Sequence, residues 1–157
     1  MLEFSGKISN SCLKYILNRA KIFSFIASFI AAVVLIIPFI YLSIFDSTLY
    51  LIMVFILLLF PFLSFFAYGK HTHKLLVPKK IIIDSNTLET IGEKFHFVRN
   101  INDVKIVKDF GDWYHILFYF GSRCENFICQ KNLLSQGTIS EFEKLFKGKI
   151  IKKYKLK

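Results

Sequence analysis

Two apolar runs set the plan of the chain. Ile22 to Phe45 is a stretch of 24 residues without a charge, and Leu49 to Gly69 is a second of 21. At a rise of about 1.5 Å per residue, each makes a helix of roughly 30 Å, the thickness of a bilayer's hydrocarbon. The pattern predicts a transmembrane hairpin over 22–69, with spans at 22–45 and 49–69 and an outer turn at Asp46, Ser47 and Thr48. A soluble core helix and a cleaved leader are the alternatives. The rest of the chain is too small to wrap two long helices that are apolar on every side. A leader would end its apolar region, about 7 to 15 residues, at small side chains. Phe39 to Phe45 is bulky instead.

Before the first run, Leu13, Ile16, Leu17 and Ala20 recur at helical spacing opposite Lys14, Asn18 and Lys21, with Ser11 as a candidate N-cap. Residues 1–21 therefore read as a cytoplasmic segment with an amphipathic surface helix, or as a plain extension of the first span. Beyond Lys80 the period changes to that of strands, predicted at 80–84, 87–91, 95–99, 104–109, 113–120 and 125–129. Ser85-Asn86, Gly92-Glu93, Gly111-Asp112 and Gly121-Ser122 supply the turns. Thr138-Ile-Ser-Glu141 matches a capping box, and Ile139, Phe142 and Phe146 make one apolar stripe. The expected fold is a membrane protein in which the two-helix hairpin is followed by a small, mainly antiparallel β domain of α+β type. That domain covers 76–148 and is closed by a C-terminal helix; a basic tail, 149–157, follows.

Charge orients this plan. The chain has a mean hydropathy of +0.49, nineteen Phe and a net charge of +10. Lys7, Lys14, Arg19 and Lys21 precede the first run, and Lys70, Lys74, Lys79 and Lys80 follow the second, while the turn between them has no cation. Retention of Lys and Arg on the inner side places both termini in the cytoplasm, with Tyr41, Tyr50 and Tyr68 at the interfaces. From Lys70 onward 17 Lys plus Arg stand against 9 Asp plus Glu, and six lysines lie in 147–157. Contact with anionic lipid headgroups is expected of Lys14, Arg19, Lys21, Lys70, Lys74, Lys147, Lys149, Lys152, Lys153 and Lys155. A tail that is merely solvated is the alternative. Nucleic acid could meet the same charge, but no readout element accompanies it.

Candidate chemistry adds little. No Asp, Glu, Lys, Arg or His lies in either run, so an ion path through this chain alone has no polar lining. Pro38 and Pro61 are expected to kink the spans. Ser24, Ser28 and Ala32 recur every fourth residue, which suits close packing on the second span or on another copy as a homodimer. There is no Gly-rich phosphate loop, HExxH, nucleophile elbow or dinucleotide fingerprint. His71 and His73 lack an evident third metal ligand, and His115 sits in an apolar strand as a structural His. Cys124 and Cys129 are five apart and would point to opposite faces of one strand. With Cys12 they read as free thiols. Asp103, Asp109 and Asp112 fall at strand ends and turns. No catalytic, cofactor-binding or metal-binding residue is expected.

The hairpin of spans, "IIIDSNTLET", "INDVKIVKDFGDWYHILFYF" and "FICQKNLL" running into "SEFEKLF" together resemble the YcxB-like family of small bacterial membrane proteins, over nearly the whole chain. That resemblance implies a multi-pass protein of the bacterial inner membrane whose cytoplasmic domain is similar to pleckstrin-homology folds, with no assigned activity. The expected role is a non-enzymatic module held at the inner leaflet to bind an unidentified protein or anionic lipid, without a cofactor. Two rivals remain: a membrane immunity or stress-protection protein acting through its hairpin, and a membrane enzyme with an unrecognised site.

Overall fold

The computed structural model describes residues 1–45, 48–67, 77–119 and 127–153. Asp46, Ser47, Tyr68, Lys70, His71, His73, Lys74, the Gly121-Ser122 turn, Cys124 and Lys155 lie outside those residues. The chain divides into two compact units: Met1–Ile16 together with His73–Lys157, and Leu17–Thr72.

Among the described residues the first unit holds nine strands: β1 (Leu2–Ser5), β2 (Pro78–Ile83), β3 (Thr87–Gly92), β4 (His96–Asn100), β5 (Val104–Asp109), β6 (Trp113–Phe118), β7 (Ile128–Gln130), β8 (Leu134–Gln136) and β9 (Ile150–Lys152). They make a five-stranded sheet ordered β4-β3-β2-β1-β8 and a four-stranded sheet ordered β7-β6-β5-β9. All described pairings are antiparallel except β5 with β9. Alternation along each strand sends one set of side chains into a shared core. Leu2 and Phe4 of β1, Ile81 and Ile83 of β2, Val104 and Val107 of β5, and Tyr114, Ile116 and Phe118 of β6 are buried there.

A closing helix forms where the capping box predicts it. The Thr138 N–H donates to Glu141 Oε2 at 2.8 Å, and the Glu141 N–H donates back to Thr138 Oγ1 at 3.2 Å. Two of the helix's otherwise orphaned donors are thereby satisfied. In helix Ile139–Leu145 Phe142 is fully buried, its ring 4.4 Å from that of Tyr114 and edge-on to Phe4 at 5.8 Å.

Three strands depart from the sequence reading. β1 lies within residues 1–21, so the N-terminus enters the sheet rather than forming a separate segment. β8 follows a short 3-10 turn, Lys131–Leu133. β9 occupies the start of the basic tail expected at 149–157, because Ile150 and Ile151 can pair along the free edge of β5. The Gly92-Glu93 turn moves by one residue, with the Gly92 N–H donating to the Phe95 carbonyl across Glu93 and Lys94.

α1 is one helix from Asn10 to Phe45, with Pro38 inside it. Ser9 rather than Ser11 caps it, its hydroxyl accepting from the Cys12 N–H at 3.4 Å and its carbonyl from Leu13 at 2.9 Å. The residues up to Ile16 belong to the β unit; the rest of α1 and α2 (Thr48–Ala67) form the second unit.

These helices run antiparallel along a narrow seam. Phe25 meets Phe62 and Phe65, Phe39 meets Tyr50, and the Ser28 and Ser64 hydroxyls are 2.8 Å apart. Of the two partners open to the Ser24, Ser28, Ala32 stripe, the described residues show the second helix, with Ala32 buried. Away from the seam, large apolar side chains such as Ile30, Val34, Ile37, Phe55 and Leu63 are exposed. Asn10–Tyr41 is long and apolar enough to cross a membrane, and only 6% of its most apolar window is buried. The apolar part of the second helix, Ile52–Phe66, is shorter than that measure requires. The two-span expectation is thus met for the first helix alone.

Candidate ligand groove

The site is built where α1 springs from the sheet. β1 ends at Ser5, and the Gly6 N–H donates to the Lys79 carbonyl at 3.1 Å, pinning the exit of β1 to the entry of β2. Gly6 has φ +132°, and a Cβ there would come within 3.0 Å of Leu133, so the turn demands glycine. Ile8 then drops into a second apolar cluster with Cys12, Ile16, Trp113 and Ile128. Its location explains why β6 reads as an almost unbroken apolar run. Tyr114, Ile116 and Phe118 face the main core, while Trp113 faces the underside of α1.

Two polar pairs lie beneath α1. Tyr15 Oη and His115 Nδ1 share a hydrogen bond of 2.9 Å, and the Ser9 N–H donates to Gln130 Oε1 at 2.8 Å. The tyrosine ring lies 4.8 Å from that of Phe110. His115 is wholly buried with a hydrogen-bond partner, as a structural histidine requires.

Beside this joint lies a groove of about 380 Å³, lined by Gly6, Lys7, Ile8, Leu13, Val77 and Lys79 among others. Its walls are mainly apolar, with Lys7 and Lys79 as its cations. Both are exposed, and Lys79 Nζ stands 3.9 Å from Glu93.

The basic residues anticipated from sequence are spread over several elements. Lys14 is exposed on α1; Arg19 and Lys21 are half-buried on the next turns, with Lys21 over the Phe65 ring at 5.7 Å. Lys147 and Lys149 lie on the turn before β9. Lys152 and Lys153 are exposed at the far end of β9, where the Lys153 N–H donates to the Asp109 carbonyl at 2.7 Å. Parallel pairing with β5 carries these two toward the turn at Phe110, the residue that packs on Tyr15. Lys7 and Lys79 were legible only as flanking cations; their shared groove depends on the β1–β2 pairing, which local periodicity does not reveal.

Several ionisable groups elsewhere in the β unit are tied down. Lys131 Nζ donates to Asp109 Oδ1 at 3.0 Å and sits 4.3 Å over the Tyr114 ring. Tyr114 Oη donates to Glu143 at 2.8 Å. Burial, and then the Glu143 contact, push the Tyr114 phenol well above its ordinary range. Burial likewise raises the Cys129 thiol. Among the described residues no three of His, Cys, Asp and Glu gather as a metal site.

Cys12 and Cys129 are both free and fully buried. Since the thiolate is the reactive form, alkylation of a C124S variant with N-ethylmaleimide near neutral pH is expected to label neither in the folded protein and both in denaturant. Labelling of either thiol before unfolding would contradict the described packing.

No family model, curated protein or solved structure matches this chain.

Proposed function

We propose that this chain is a two-pass membrane protein whose β unit is a non-enzymatic interaction domain held at the cytoplasmic face of a bacterial inner membrane. One observation carries the reading. β1, which precedes the apolar helices, pairs with β2 and β8, which follow them. Strands of one sheet share one compartment, so the chain between Ser5 and Pro78 must leave and return on the same side, crossing an even number of times or not at all.

The exposed apolar flanks of both helices favour crossing, since a soluble core would cover them. The same pairing argues against a cleaved leader, because cleavage after the first helix would strip an interior strand from the sheet. Lysine and arginine flanking the helices favour the cytoplasm. Two mainly antiparallel sheets and a closing helix support reading the β unit as the pleckstrin-homology-like domain that the YcxB-like resemblance implies. Confinement at a surface raises the effective concentration of the domain for partners there, which is use enough for an anchor without catalysis.

Reporter fusions test the topology. Green fluorescent protein fused before Met1 or after Lys157 is expected to fluoresce, and alkaline phosphatase at either end to stay inactive. Phosphatase activity at either end would defeat the reading. Photo-crosslinkers at exposed β positions such as Val98 are expected to capture a discrete partner band; capture confined to positions on the helices would transfer the function to the hairpin.

A further inference from the structure

We infer that the groove beside Gly6 is a binding site for an anionic glycerophospholipid, with Lys7 and Lys79 holding its phosphate and the apolar walls taking its glycerol and first methylenes. The inference rests on the membrane reading above and names a ligand for the β unit. Three features converge. The groove is amphipathic in the sense such a lipid requires, having cations beside walls that include Ile8, Leu13 and Val77. Those cations are available: Lys7 is exposed, and Lys79 has only a loose, solvated contact with Glu93 at 3.9 Å, of a kind that contributes little and exchanges readily.

The groove is also close along the chain to the expected anchor. Leu13 on its wall is followed along the same helix by Lys14, Arg19 and Lys21 and then by the charge-free run, so the helix leads from the groove into the sequence expected at headgroup level. A volume of about 380 Å³ accommodates a headgroup and its glycerol but not a folded partner. Free inorganic phosphate could satisfy the lysines, yet it would leave the apolar walls without a partner.

The test uses the full chain reconstituted in phosphatidylcholine vesicles with and without spin-labelled phosphatidylglycerol. Wild-type protein is expected to immobilise the labelled lipid, and K7A/K79A to lose that binding roughly thirtyfold, given the attraction of two cations near the surface. K105A/K144A, which removes equal charge from exposed positions elsewhere, is expected to leave it unchanged. Leu13→Gln is expected to weaken lipid binding, and millimolar inorganic phosphate to compete poorly. Equal losses in both lysine pairs would reduce the effect to general charge and overturn the site. Effective competition by phosphate, or indifference to Leu13→Gln, would overturn the lipid in favour of a small anion. Failure of the protein to enter vesicles at all would refute the membrane reading instead.

Discussion

Removing Leu2–Ser5 is expected to unfold the β unit, although those residues are more than seventy positions from their nearest partner strand in sequence. β1 is an interior strand: β2 pairs with it on one side and β8 on the other. Leu2 and Phe4 are buried in the main core, and Phe4 meets the ring of Phe142. Truncating such side chains to Ala costs about 2–5 kcal/mol for Leu and about 3–5 for Phe. The pair together approaches or exceeds a typical domain stability of about 5–15 kcal/mol, and the deletion adds two lost ladders of backbone hydrogen bonds. Limited proteolysis of the membrane-bound protein reads the result. A resistant core spanning 78–153 is expected in the wild type, and its rapid digestion in the deletion and in L2A/F4A. Ser5→Ala, at a half-buried position on the rim, is expected to behave as wild type. Persistence of the resistant core without β1 would remove the premise that both ends share a compartment.

The second large effect concerns the anchor. Val34 and Leu59 are exposed on the helical unit, on the flanks rather than in the seam. If those flanks meet lipid, a lysine at a helix centre costs about 2.5–3.5 kcal/mol on insertion scales, and V34K/L59K roughly twice that. Carbonate washing is expected to release or aggregate the double variant while the wild type stays in the membrane. The comparison V34S/L59S introduces polarity without charge and is expected to remain membrane-bound. Retention of V34K/L59K would mean that another protein, not lipid, covers these flanks.

What sequence revealed here tracked how local the determinant was. The strand β5 over 104–109, the turn at Gly111 and the capping box at Thr138 each depend on a few adjacent residues, and each forms as expected. β1 escaped because four residues, alternating Leu-Glu-Phe-Ser before a glycine, carry too little period to stand out beside a long apolar run. β9 escaped because lysine density overshadowed two isoleucines. Both strands are specified by neighbours far along the chain, as β pairing commonly is. For the same reason the lysines of the groove could be read as cations but not as companions. Cys12 and Cys129 were legible as free thiols, whereas the burial of Cys12 depended on α1 packing against Trp113 and Ile128, and that of Cys129 on the main core between the sheets.

The placement of the apolar helices between β1 and β2 has a consequence for biogenesis. A ribosome synthesising about 5–20 residues per second makes β1 well before β8, the last of its two neighbours, with a delay of roughly 7 to 26 s. During that wait one edge of β1 carries unsatisfied amides and is a target for chaperones and proteases. Pairing of β1 with β8 therefore waits for residues 134–136, and under the proposed topology a copy that misinserts would hold β1 and β2 apart and leave the sheet unfinished. Under the proposed topology the fold would thereby inspect its own insertion.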